Sequence, residues 1–303
     1  HDSTGNGVAT VLKASEAGVD IADCAISSLS GLTSQPSLNS VAAALECTPR
    51  ETGLSLKDLE KLSEYWNNLR PVYEHFESGL KAPSAEIYRY EIPGGQYSNL
   101  KPQVESFGLS DKFEEVKEMY RSVNIMLGDI IKVTPSSKMV GDLAIFMVKN
   151  SLTPENILEK GKDLSYPDSC VSYFKGMMGQ PDCGFPKELQ SIVLKGEKAI
   201  TVRPGTILED EDFSSAELEL EKKFGIKPSE EQVISSVMYP KVYDDYRKTV
   251  LEYGELSNIP SDVFFHGMKE GETREVEIHS GRILVITLNE IGKIEKDGKR
   301  RLD

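Results

Sequence analysis

The sequence predicts an α/β chain: the C-terminal part of a TIM-type (β/α)8 barrel, then a mainly helical extension, then a short antiparallel β segment. Three observations lead there. Residues 7–46 alternate helix and strand signals with connections of a few residues, the pattern of parallel α/β structure. The next stretch of the chain carries helical apolar spacing almost throughout, and from Val276 onward the period changes to two. A complete barrel needs eight strand–helix units over about 250 residues. Fewer than two such units precede Cys47, so the opening segment is expected to close a barrel begun upstream, and the chain's start on His1 rather than Met agrees.

Gly7 to Ala17 is a short helical pattern stopped at Gly18, and Val19 to Ile26 reads as a buried strand because apolar residues recur between turn signals. A polar loop runs from Ser27 to Asn39, followed by an alanine-rich helix over Ser40 to Glu46. Leu54–Asn68, Asp111–Met126, Ser137–Lys149 and Pro154–Lys162 have apolar residues at helical spacing behind polar openings. Acidic residues crowd Glu209 to Glu221 and end at Lys222-Lys223, the mark of a solvated helix face and loop. Val276, Ile278, Ile283, Val285 and Thr287 alternate around a Ser280-Gly281 turn, and Lys296-Asp297-Gly298-Lys299 is a hairpin signal for which no following strand is expected. By domain, 1–46 is the barrel's end, 47–254 the helical extension, and 255–303 the start of a further domain.

With 49 acidic against 35 basic residues the formal charge is -14, which repels nucleic-acid backbones and anionic lipid surfaces at long range. Neither is an expected partner. Small anionic substrates stay open, since a metal or a local cluster of donors reverses the potential inside a cleft. Cys24, Cys47, Cys170 and Cys183 stand far apart with no C-x-x-C pair, as thiols of a reducing compartment do. No apolar run approaches a membrane span, and no signal-peptide order is present.

Three strings could support chemistry. His1-Asp2-Ser3-Thr4-Gly5 puts an imidazole and a carboxylate where a strand hands over to a helix, which in a barrel is the catalytic rim; taken alone the signal is weak, since a single His at a chain end is more often a solvated terminus than a metal ligand. Thr134, Ser136 and Ser137 are hydroxyls at a helix start, either caps or a proton relay, since a hydroxyl donates and accepts in one step. Ile92-Pro93-Gly94-Gly95 is turn chemistry or a place where backbone approaches a ligand closely. His75, His266 and His279 stand apart and read as surface or packing residues. P-loop, dinucleotide-fold and serine-hydrolase signatures are absent.

Together with Leu29-Ser30-Gly31-Leu32-Thr33-Ser34-Gln35-Pro36-Ser37, these strings resemble the pyruvate carboxylases in order and spacing. The matching forms are Glu91-Ile92-Pro93-Gly94-Gly95-Gln96-Tyr97-Ser98-Asn99-Leu100 and Val133-Thr134-Pro135-Ser136-Ser137-Lys138-Met139-Val140-Gly141-Asp142-Leu143-Ala144. Lys195-Gly196-Glu197-Lys198 and Thr201-Val202-Arg203-Pro204-Gly205 extend the likeness over essentially the whole chain. Decarboxylase and transcarboxylase subunits share the barrel but differ in the Pro-Gly-Gly and Thr-Pro strings.

The resemblance implies a carboxyltransferase that moves a carboxyl group from carboxybiotin to pyruvate, giving oxaloacetate. It implies a divalent metal, zinc or manganese, held by an Asp, a carbamylated Lys and two His, with His1 as the second His and the other ligands upstream. Thr134 would be the proton relay, and Ser137 would line the biotin pocket. From about Glu255 the chain would enter an allosteric or tetramerisation domain. Expected partners are biotin carrier and biotin carboxylase domains, the latter using ATP, within a homotetramer of the cytoplasm or mitochondrial matrix. The alternatives are an oxaloacetate decarboxylase or transcarboxylase subunit, or an inactive structural fragment of such an enzyme.

Overall fold

The computed structural model describes residues 1–279, 281–296 and 298–303. It divides into two compact units, His1–Leu208 and Glu209–Asp303.

In the first unit, α1 (Gly7–Glu16), α2 (Leu38–Leu45) and α3 (Leu56–Leu69) come first. Ser37 and Ser55 start the latter two by accepting the N–H of the third residue on, from Ser40 and Asp58. The expected strand at Val19–Ile26 is not formed: this stretch is irregular chain with one parallel bridge, Ala25 to Ser37. A strand needs a neighbour for its backbone groups, and only Ala25 finds one here, leaving Val19 and Ile21 exposed.

Next come α4 (Ile87–Tyr90), α5 (Gly94–Ser106), α6 (Phe113–Met126) and α7 (Ser136–Lys149). Apolar residues three and four apart on α7, Met139, Val140, Leu143, Ala144 and Met147, are fully buried. They meet Val116, Tyr120 and Val123 of α6 and Leu100 and Val104 of α5, forming the centre of the main core. Burying each of these Met, Val and Leu side chains contributes on the order of 1.5–3 kcal/mol relative to exposure, and the Ala144 methyl less. Gly141 lets α5 and α7 approach: a Cβ there would stand 2.6 Å from Gln96 Nε2 and 3.2 Å from Leu100 Cδ1. The unit closes with α8 (Ile157–Lys160), α9 (Asp168–Lys175) and α10 (Lys187–Leu194). The helix expected over Pro154–Lys162 shrinks to the single turn of α8, because after the Ile157 N–H bonds to Thr153 O at 3.0 Å the i to i−4 ladder resumes only with the Lys160 N–H on Asn156 O at 2.8 Å.

In the second unit, α11 (Phe213–Phe224), α12 (Glu230–Met238) and α13 (Pro240–Tyr253) gather around Leu220, Val233 and Tyr243. Asp212 accepts the Ser214 and Ser215 N–H groups, so the acidic run becomes a capped, solvated helix. After α14 (Ser261–His266), β1 (Thr273–His279) pairs antiparallel with β2 (Arg282–Thr287), Val276 facing Leu284. A second ribbon joins β3 (Ile291–Ile294) to β4 (Arg300–Leu302). The second hairpin therefore does have a partner strand, short as it is, contrary to the sequence expectation. Ser280 of the first turn and Asp297 of the second lie outside the described residues, as does the His279 side chain; His75 and His266 are exposed, as expected. Among the described residues, no helix is long and apolar enough to cross a membrane.

Candidate active site

The His1 end of the first unit is built by three loops. Asp2 N–H donates to Ser34 O at 2.8 Å, and Asp2 Oδ1 accepts the Gly7 N–H at 2.7 Å, pinning the start of α1. The Asp2 carboxylate is thus engaged in structure, and the imidazole beside it is the group left for chemistry. His1 Nδ1–H donates to Thr33 O at 2.6 Å, an assignment that leaves Nε2 as the lone-pair nitrogen. The ring lies against the start of α5, where a Cβ on Gly94 would stand 2.8 Å from His1 Cγ. Pro93 is the N-cap of α5 and Gly94 its first residue, so the Pro-Gly-Gly string is a helix start rather than a turn, and the close approach it permits is to His1. A cavity of about 440 Å³ opens beside the imidazole, with Asp23, Gln35, Tyr88 and Gly94 among its walls.

Thr134 lies in the loop before α7, next to a cis peptide bond to Pro135. It is exposed, and among the described residues its hydroxyl makes no hydrogen bond. The cap reading for Thr134 therefore fails. Pro135 occupies the N-cap without a side-chain bond, while Ser136 Oγ donates to Ile131 O at 2.8 Å or Val133 O at 2.6 Å and accepts the Val133 N–H at 3.2 Å. One serine satisfies the loop's backbone and leaves the threonine hydroxyl uncommitted. Ser137 is buried at the first turn of α7, its carbonyl 3.4 Å from the Tyr120 hydroxyl that donates to it. Neither Thr134 nor Ser137 is among the residues of the cavity beside His1.

Two contacts that the sequence reading missed tie these places together. Lys132, two residues before Thr134, donates from Nζ to Glu91 Oε2 at 2.9 Å, and Glu91 stands two residues before Pro93. That hydrogen bond holds the Glu91 carboxyl below the ordinary carboxylate range, against the opposing effect of its partial burial. The second is the crossing of Gln96 on α5 over Gly141 on α7. Glu91, Gln96 and Gly141 stand within the strings quoted above and Lys132 directly before one of them, but nothing in the spacing pairs Glu91 with Lys132.

A conserved carboxylase domain model matches residues 87–287. The chain belongs to this family. The pyruvate carboxylase of Bacillus subtilis is 49% identical over 300 residues, a match covering 99% of this chain and 26% of that protein. Pyruvate carboxylase 1 of Caenorhabditis elegans is 46% identical over 304 residues, covering 100% of this chain and 26% of that protein. The carboxyl transferase domain of Rhizobium etli pyruvate carboxylase, solved with pyruvate and biocytin, superposes with a TM-score of 0.89 at 42% identity. That match spans all of this chain and 51% of the solved one. The chain thus spans about a quarter of the length of the carboxylases it matches.

Proposed function

We propose that this chain is a carboxyltransferase portion of a biotin-dependent pyruvate carboxylase, moving a carboxyl group from carboxybiotin to pyruvate to form oxaloacetate. The observation that supports it is the uncommitted Thr134 hydroxyl: an exposed donor–acceptor at the lip of α7, in a loop whose backbone is satisfied by Ser136 instead. During transfer, Thr134 Oγ1 receives a proton from the pyruvate methyl as it gives its own to the biotin ureido nitrogen. The methyl carbon gains the carboxyl carbon, and that nitrogen loses it. A hydroxyl suits the step because it relays a proton without holding full charge in a dehydrated site. Ser137, buried one turn further on, lines the biotin pocket in this reading.

His1 fits one position of a divalent-metal shell, because a metal-ligating imidazole usually donates its other ring N–H to a carbonyl or carboxylate, as Nδ1 does to Thr33 O. Bound there, zinc or manganese would polarise the pyruvate carbonyl. The remaining ligands would come from outside these residues.

In the same reading, the irregular Val19–Cys24 stretch with its parallel bridge at Ala25 takes the place of a barrel strand whose neighbours come from elsewhere in the parent. The coverage of 51% of the solved carboxyl transferase chain supports this. By role, 1–46 ends the barrel, 47–254 extends it and 255–303 begins an allosteric or tetramerisation domain. This division differs from compactness, which splits the chain between Leu208 and Glu209. Partners are pyruvate, carboxybiotin, and the biotin carrier and ATP-using biotin carboxylase domains of a homotetramer in the cytoplasm or mitochondrial matrix. The test is Thr134→Ala in the full-length parent: turnover to oxaloacetate falls, while pyruvate KM and biotin-dependent ATP cleavage hold. Parent-level turnover would refute the relay.

A further inference from the structure

We propose that Glu91 and Lys132 form a positioning pair that fixes the Thr134 loop relative to the Pro93-Gly94 seat of His1. The proposal rests on the carboxyl-transfer reading and adds to it how the two halves of the site keep their register. The chain arrives at Thr134 by an exposed stretch, Ile131 and Val133 having 82% and 61% of their surface in solvent, so little packing holds it. Lys132 is the exception. Its side chain is only 13% exposed, and its Nζ reaches across 41 residues of sequence to Glu91 Oε2 at 2.9 Å.

Glu91 is itself held on its own side. It sits in the left-handed backbone region (φ 61) as the C-cap of α4, its N–H bonded to Ile87 O at 3.0 Å. Arg121 Nε of α6 stands 3.9 Å from its other carboxylate oxygen. From this fixed point the chain runs through Ile92, which is buried, to the α5 start that touches His1. The Gln96–Gly141 crossing fixes the two helices that follow these loops. The ion pair fixes the loops themselves. A relay hydroxyl works only within hydrogen-bond reach of both proton partners, and a misplacement of about 1 Å can cost on the order of 100-fold in rate.

The experiment uses the full-length parent enzyme with Lys132→Met, Glu91→Gln, Lys132→Arg and the exchanged pair Glu91→Lys with Lys132→Glu, each alone and in a Thr134→Ala background. Breaking the pair is expected to lower oxaloacetate turnover at least about tenfold, with pyruvate KM within about twofold and pyruvate-independent ATP cleavage unchanged. Lys132→Arg and the exchanged pair should recover most of the loss. In the Thr134→Ala background, Lys132→Met should add little, because both changes remove one function. If Thr134→Ala is impaired but Lys132→Met multiplies the defect in full, the positioning pair is wrong and the transfer reading stands. Should Thr134→Ala be silent, both fall. Parent-level turnover in the broken pair, no recovery in either restoring variant, or failure of both single variants to fold would each overturn the proposal, the last by making the pair purely structural.

Discussion

Gly94 and the imidazole of His1 are in van der Waals contact, so close that a Cβ on Gly94 would stand 2.8 Å from His1 Cγ and 2.9 Å from His1 Cβ. The glycine is not there for a left-handed turn, since α5 begins with it. It is there because the first turn of a helix and a histidine ring occupy adjoining space.

Gly94→Ala should therefore move the ring. His1 Cβ is next to the backbone, so rotation of the imidazole alone does not clear the clash. Alanine is favoured over glycine by about 1 kcal/mol inside a helix, and the part of this that applies at the first position of α5 offsets some of the strain, so the melting temperature should change little. In the full-length parent, metal content per protomer and oxaloacetate turnover should both drop; parent values for both would show that the contact has no bearing on the site.

Thr134→Ala and Ser136→Ala should separate chemistry from stability. Ser136 satisfies backbone groups of Ile131 and Val133, so its loss should cost on the order of 1 kcal/mol. Thr134 has no such bonds, and its loss should leave the melting temperature unchanged while turnover falls about 100-fold. Thermal melts beside turnover assays decide it: a Thr134→Ala enzyme that melts lower and turns over normally would return the residue to a structural role.

The Glu91–Lys132 pair predicts a pH dependence with a defined sign. The carboxyl is held below its ordinary value of 4.5 by the Lys132 hydrogen bond, so its contribution to stability is fully present above that value. It is lost as pH falls through the lower folded-state value. Urea midpoints of the parent and Glu91→Gln should differ at pH 6 and converge in acid below about 4.5. A gap that stays constant down to pH 3 would mean that the charge is not what stabilises the contact.

Cys170 should be inert in the native protein. It is fully buried against the core, and burial pushes its thiol up to about 12, so almost no thiolate exists near neutral pH. Cys47 and Cys183 are exposed. Mass-mapped alkylation at pH 8 should modify Cys170 only after unfolding, and rapid native labelling there would contradict the packing of α9 on α7.

The sequence by itself determined the local things. Helical spacing placed the helix of Leu56–Leu69, that of Phe113–Met126 and that of Ser136–Lys149 within two residues, because each has a polar opening and an apolar stripe that only one period satisfies. Alternation likewise marked the ribbon of β1 and β2, and the strings running from His1-Asp2 to Pro204-Gly205 pointed to the carboxylase family.

What only the tertiary structure decided was which groups meet. Val19 to Ile26 has strand-like residues but pairs only at Ala25, because a strand is fixed by its neighbours and not by its own composition. Three hydroxyls within four residues look alike as caps, and it took the loop's path to give the backbone bonds to Ser136 and leave Thr134 free of them. Glu91 and Lys132 lie 41 residues apart, and no local rule pairs them. They meet because α6 and α7 pack side by side, which returns the chain from the buried core to the place where α4 ends.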